Sequence, residues 1–131
     1  MKLDYNVEGG DFARAGWASS QVKKVLKQLN VDQGVIKLDL AIHQGFASDL
    51  MSDVLTLSTN DVMLITGLAN LQAVRTAEMS DIPVVLFVRD KQIGEDIVNL
   101  GRDLGVILLR TKFSMYKTAG LLFNAGLQPV F

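Results

Sequence analysis

Three stretches of the chain are apolar at successive positions: Val62-Met63-Leu64-Ile65, Val84-Val85-Leu86-Phe87-Val88 and Val106-Ile107-Leu108-Leu109. A strand with one wet face alternates apolar and polar residues, whereas a strand covered on both faces does not need to, and parallel sheets are covered on both faces. The runs begin at 62, 84 and 106, which is 22 positions each time. That interval holds a strand, a turn and a crossover helix, so the rhythm predicts βαβαβ.

Helical periodicity fills the gaps. Ile93, Ile97, Leu100 and Leu104 recur at steps of four, three and four. Glu95 and Asp96 suit the positive end of that helix, and Gly105 is placed to end it. Leu71, Val74 and Ala77 predict a second helix from about Asn70 to Met79. Met115, Ala119 and Leu122 predict a third, capped by Ser114, stopped by Gly126 and barred from continuing by Pro129. Upstream, Val22, Val25, Leu26 and Leu29 form an apolar stripe on a helix within Asp11 to Asn30. Its other face carries Lys23, Lys24 and Lys27, either a solvated surface or a docking face for an acidic partner. Val35 to Leu40 and Ile42 to Ala47 are each candidate strands, and Asp49 to Leu57 a candidate short helix. The reading is a single three-layer α/β/α domain with a mostly parallel central sheet, an N-terminal helical segment (1–30) packing on an α/β body (31–131).

Composition narrows the function more by exclusion than by assignment. The chain has 131 residues, 49% apolar and 21% charged, as expected of a protein with one core. Thirteen Lys and Arg against fourteen Asp and Glu leave a net charge of −1, so no positive field exists to hold nucleic acid. With no cysteine and one histidine, a disulfide framework, a thiolate zinc site and a cysteine nucleophile are excluded. The acid-bearing start, Met1-Lys2-Leu3-Asp4-Tyr5, does not read as a secretory signal. The longest apolar stretch, Ile82 to Val88, falls far short of the ~20 residues needed to span a bilayer. A soluble, cytoplasmic protein without membrane partners is expected.

Nucleotide motifs are missing too. Lys117-Thr118 lies inside the last helix with no glycine loop before it, so there is no P-loop, and no Gly-x-Gly-x-x-Gly follows a strand. No cofactor is expected. His43, Ser48, Ser52 and Ser114 form no recognisable catalytic grouping: no Gly-x-Ser-x-Gly elbow surrounds any of the serines, which read better as helix caps. Asp49 is read either as a helix N-cap or, four residues from Asp53, as half of a magnesium site. What remains is geometric. Ligands of open parallel sheets bind beyond the carboxyl ends of the strands, where helix N-termini point N–H groups at anions. The loops there are Thr66-Gly67-Leu68-Ala69-Asn70, Arg89-Asp90-Lys91 and Arg110-Thr111-Lys112-Phe113-Ser114. They gather hydroxyls, an amide, a glycine and four basic side chains, although turn and capping chemistry would also select many of these residues. The candidate ligand-binding set is Asp49, Thr66, Gly67, Asn70, Arg89, Thr111 and Ser114.

From Asp39 to Leu127 the chain resembles the DRTGG domain, a family related to the N-terminal domain of HPr kinase/phosphorylase. The likeness is to an Asp-Arg, Gly-Gly, Asp-Leu-Leu-Ser-Asp-Val-Met pattern, here Asp39-Leu40, Gly45, then Asp49-Leu50-Met51-Ser52-Asp53-Val54-Leu55. Leu40 stands where the family has arginine and Gln44 where it has glycine. Asn70, Ala73-Val74, Thr111-x-x-Ser114 and Ala119-Gly120-Leu121-Leu122 extend the match. The resemblance implies a regulatory or ligand-sensing module without catalytic residues, of a kind often attached to CBS domains or enzymes. Residues 5–29, with Glu8-Gly9-Gly10-Asp11-Phe12-Ala13-Arg14-Ala15-Gly16, are similar to the opening of anti-sigma-factor-type, histidine-kinase-like ATPases. The Glu-x-x-x-Asn motif and glycine-rich lid of those ATPases do not follow. The expected function is therefore non-catalytic sensing of a small anionic metabolite or nucleotide. An interaction module without a small ligand, and a phosphotransfer or nucleotide-hydrolysing accessory protein, are the alternatives. Phe12 and Trp17 near the N-terminal helix predict a homodimer or higher homo-oligomer.

Overall fold

The computed structural model describes residues 42–58 and 61–131. The N-terminal helix, its lysine stripe, the candidate strand Val35 to Leu40, Phe12, Trp17 and the ATPase-like segment lie outside the described residues.

Among the described residues nine elements follow one another: β1 (Gln44–Ala47), α1 (Met51–Val54), β2 (Val62–Thr66), α2 (Leu71–Met79), β3 (Val84–Phe87), α3 (Glu95–Leu104), β4 (Ile107–Arg110), α4 (Met115–Asn124) and β5 (Gln128–Pro129). The strands form one five-stranded sheet in the order β4-β3-β2-β1-β5, and every pair is parallel. The three apolar runs are β2, β3 and β4, so the rhythm of 22 positions is the repeat of the sheet itself. The bounds shift by about a residue: β2 extends to Thr66, β3 ends at Phe87 and β4 runs 107–110.

Alternate strand residues feed two separate cores. Val62, Leu64, Val85, Phe87 and Leu108 point to one face, where α1, α2 and α3 bury Met51, Val54, Ala73, Val74, Ala77, Ile97 and Val98 against them. Met63, Ile65, Val84, Leu86, Ile107 and Leu109 point to the other face, where Leu122 of α4 packs with Leu127 and Ile42. The winding explains this division. From β1 to β4 the chain advances in one direction, so crossovers of a single hand put three helices on one face. The step from β4 to β5 reverses direction and puts α4 on the other.

Helix boundaries follow capping chemistry. Asn70 accepts a hydrogen bond from the Ala73 N–H at 2.9 Å, and Ser114 accepts one from the Lys117 N–H at 3.2 Å. Gly105 ends α3 at φ +73°, a left-handed value that favours glycine. Upstream the expectations need correction. The short helix expected from Asp49 to Leu57 spans only Met51–Val54, and its N-cap is Leu50, with no side-chain cap. Ser48 makes a turn instead of a cap, its Oγ accepting from the Leu50 N–H at 3.0 Å. His43 precedes β1 and is not part of it.

Candidate functional site

The carboxyl ends of β1, β2, β3 and β4 lie side by side, and the loops leaving them are stitched together by backbone hydrogen bonds. The Ser48 N–H donates to the Ile65 carbonyl, that of Val88 to Thr66, and that of Thr111 to Phe87, at 3.0, 2.9 and 2.9 Å. These bonds carry the register of the sheet one residue beyond the strands.

Asp49, the first residue past that stitch on β1, turns back over β2. Its Oδ1 accepts from the Gly67 N–H at 2.6 Å and from the Thr66 hydroxyl at 3.1 Å. Its Oδ2 accepts from an Arg89 guanidinium nitrogen at 3.1 Å. One carboxylate thus ties together the loops after three strands. The Gly67 N–H bond chiefly holds the Asp49 carboxyl below the usual carboxylate range; partial burial opposes this, and Thr66 and Arg89 add to it. Asp49 is therefore not an N-cap. Nor does it face Asp53 on a common helix, since it lies outside α1. Among the described residues no group of three or more His, Asp or Glu side chains could hold a metal.

Gly67 is required here for space. A Cβ at this position would lie 1.8 Å from the nearer Arg89 guanidinium nitrogen, so the arginine can lie flat over the loop only because residue 67 has no side chain. Thr66 is fully buried. Its Oγ also accepts from the Leu68 N–H at 3.1 Å, which leaves its proton directed at Asp49.

Arg89 and Asp90 both take left-handed backbone conformations, φ +66° and +56°. Residues with a Cβ rarely adopt these values, and two in succession cost about 1–2 kcal/mol each. Two bonds to the neighbouring loop hold them. The Arg89 N–H donates to the Phe113 carbonyl at 2.8 Å, and the Asp90 N–H to the Thr111 carbonyl at 3.1 Å. The tight turn aims the arginine back across β2 towards Asp49.

Of the seven candidate residues, Asp49, Thr66, Gly67 and Arg89 form this one cluster. Asn70 and Ser114 sit on the same edge as caps of α2 and α4. Thr111 is buried, with its Oγ accepting from the Phe113 N–H at 3.3 Å. Asp90, whose backbone anchors the turn, was not singled out by residue type. A non-glycine residue in a two-residue left-handed turn carries no signature beyond the Asp preference for such conformations. Two further basic groups near this edge are engaged: Arg110 reaches the Lys91 carbonyl at 3.4 Å, and the Lys117 ammonium lies 3.9 Å from the centre of the Phe113 ring.

No protein-family model and no curated protein sequence matches the chain. Among solved structures, it is similar to the CBS and DRTGG domains of the regulatory region of Clostridium perfringens pyrophosphatase, crystallised with the activator diadenosine tetraphosphate. The TM-score is 0.62 at 8% sequence identity, covering 95% of this chain and 54% of that one. The chain thus spans about half the length of that structure. At this identity the likeness is one of fold, and it supports the DRTGG-like α/β architecture expected from the sequence.

Proposed function

We propose that this chain is a non-catalytic regulatory module that binds a small anionic metabolite or nucleotide at the carboxyl edge of its sheet. The observation that carries this reading is the Arg89-Asp90 turn. Two consecutive non-glycine residues are held left-handed there by bonds from a different loop, and the turn aims a guanidinium at the cluster around Thr66 and Gly67. Conformations of this cost persist where the surrounding structure enforces them, and they concentrate at binding sites and switches. Arginine's planar fork suits phosphoryl and carboxylate groups. The caps of α2 and α4 bring two helix N-termini to the same edge. The sequence resemblance to the DRTGG domain, a family related to the N-terminal domain of HPr kinase/phosphorylase, fits a sensing role. So does the nucleotide activator of the structurally similar regulatory region.

A thermal-shift screen of AMP, ADP, diadenosine tetraphosphate and phosphorylated sugars tests this. A ligand at a hundredfold its dissociation constant adds about 2.7 kcal/mol of stability. We expect at least one hit whose shift is lost in Arg89→Ala and weakened in Thr111→Val. A hit unchanged by both variants puts the site elsewhere, and a screen without hits overturns the reading. The second reading, an interaction module, is favoured by α4, where Tyr116 and Phe123 are 91% and 63% exposed on a helix that already buries Thr118 and Leu122. It takes precedence if the screen is empty. The expected homodimer remains a proposal resting on Phe12 and Trp17, tested by sedimentation at micromolar concentration.

A further inference from the structure

The Asp49 carboxylate sits where an external anion would sit. Around its two oxygens stand a backbone N–H, a hydroxyl and a guanidinium, drawn from the end of β2 and the loops after β2 and β3, at 2.6, 3.1 and 3.1 Å. All three are donors, and two are fixed independently of Asp49. The Gly67 N–H is set by the turn that leaves β2, and the buried Thr66 hydroxyl is oriented by the Leu68 N–H at its back. Arg89 is aimed by its left-handed backbone, which bonds to Phe113 and not to Asp49. This is a three-donor cradle for an oxyanion, two of its donors preformed and the third a guanidinium aimed at them, which together suit a carboxylate or one edge of a phosphoryl group.

The group that fills the cradle belongs to the chain and is lightly held from its own side. Asp49 lies on the turn between β1 and α1, where α1 is a four-residue helix with no side-chain cap and Leu50 and Leu55 are 57% and 51% exposed. The Asp49 and Arg89 side chains are each about half exposed, at 47% and 49%, so an incoming anion can reach both partners from solvent. Withdrawal of Asp49 by rearrangement of residues 49–50 leaves the Gly67 N–H and the Thr66 hydroxyl in place, with the half-exposed guanidinium free to follow the incoming anion.

We infer that Asp49 is an intramolecular stand-in for the ligand: its carboxylate occupies an oxyanion cradle formed by Thr66, Gly67 and Arg89, and a carboxylate or phosphoryl ligand binds by displacing it. The inference rests on the carboxyl-edge reading above and adds the competition that governs it. Ligand binding then frees the Ser48-Asp49-Leu50 turn that leads into α1, so this turn and the exposed Leu50 beside it report occupancy of the cradle.

Asp49→Ala is titrated with inorganic phosphate and, separately, with acetate. Binding is read by calorimetry and by the amide resonance of Gly67, with the wild-type chain alongside. The expected result is at least tenfold tighter binding of one of the two anions by the variant. The Gly67 amide, shifted by loss of Asp49, should return towards its wild-type position as that anion binds. A preference for phosphate assigns a phosphoryl ligand and a preference for acetate a carboxylate. Thr66→Val or Arg89→Ala, added to Asp49→Ala, should abolish the gain. Asp49→Asn keeps an acceptor for Gly67 and Thr66 while removing the charge; it serves if the alanine variant does not fold and should show a smaller gain. Equal affinity in variant and wild type, or a gain that survives Thr66→Val and Arg89→Ala, overturns the inference. The two proposals fail separately. A nucleotide hit on the wild type with no gain in Asp49→Ala removes the stand-in alone, whereas a gain in Asp49→Ala with an empty screen removes the sensing role alone.

Discussion

At the amino end of the sheet His43 Nδ1 lies 2.9 Å from Asp61 Oδ2; at the carboxyl end an Arg89 nitrogen lies 3.1 Å from Asp49 Oδ2. The two pairs look alike in length, yet their surroundings differ. His43 and Asp61 immediately precede β1 and β2, and the His43 N–H already donates to the Asp61 carbonyl at 3.0 Å, so the side-chain contact repeats a connection the backbone makes. Asp49 and Arg89 are 40 residues apart, and the contact joins loops that no adjacent strand pairing brings together. Two further donors converge on the Asp49 carboxylate from Thr66 and Gly67. An ion pair's weight thus comes from what else depends on the same atoms, and substitutions at the two ends should separate accordingly.

The largest effect expected comes from the support beneath the carboxyl end. Phe87 is fully buried, and the residue two positions on is Arg89. Phe87→Ala should cost about 3–5 kcal/mol and lower the melting temperature by on the order of 10–20 °C. It should also weaken any ligand response of the carboxyl edge, measured in the same thermal-shift series. A loss of stability near 1 kcal/mol would mean that the loops rest on something other than this ring.

Next in size, Asp49→Ala leaves the buried Gly67 N–H and the Thr66 hydroxyl without their acceptor. It should cost about 1–3 kcal/mol by denaturant unfolding, the penalty of unmade hydrogen bonds. Gly67→Ala attacks the same cluster from the other side, by pushing the guanidinium off the loop. The displaced atoms are the far end of a flexible side chain, so the cost should stay near or below about 1 kcal/mol, the worth of an exposed pair. If Gly67→Ala proves as damaging as Asp49→Ala, the arginine matters more than the two neutral donors.

A smaller effect is expected with pH. Folding holds the Asp49 carboxyl below its ordinary range, so its contribution is complete above the unfolded value near about 4 and fades as pH falls below it. The stability gap between wild type and Asp49→Asn, followed by urea titration from pH 7 to pH 3, should therefore narrow only below about pH 4. With the carboxylate half exposed, solvent screening keeps this change small. The smallest effect belongs to the amino end. His43→Gln should shift stability by no more than about 0.5 kcal/mol and leave ligand response at the opposite edge untouched. A larger change would erase the contrast between the two ends.

Strand rhythm, helix caps and the parallel sheet were legible because each is local. A covered strand must be apolar throughout, and Asn70, Ser114 and Gly105 act within a few residues of their own positions. The edge was legible as a place, since parallel topology fixes where the loops gather. The partnership within it was not. The sequence places Asp49 in the candidate ligand-binding set, but its neighbours suggest only a cap or a metal ligand, whereas its partners lie 17, 18 and 40 positions away. The left-handed turn at Arg89-Asp90 was hidden for a similar reason, being imposed by carbonyls of the next loop and not by residue type. A glycine directly after an apolar strand was the one available signal, and it marked Gly67 without saying what lay above it.

Among the described residues β5 forms one of the two borders of the sheet, and this has a consequence for how copies of this protein meet in concentrated solution. The Gln128 N–H donates to the His43 carbonyl, so by the alternation of strand geometry the nitrogen of residue 129 is on the side away from β1. That residue is proline and has no hydrogen to offer. A strand from another chain arriving at this border finds no donor where the ladder would have to continue. Replacing Pro129 with valine would restore the donor, and a rise in light scattering of the concentrated protein would show that one missing hydrogen had kept the border closed.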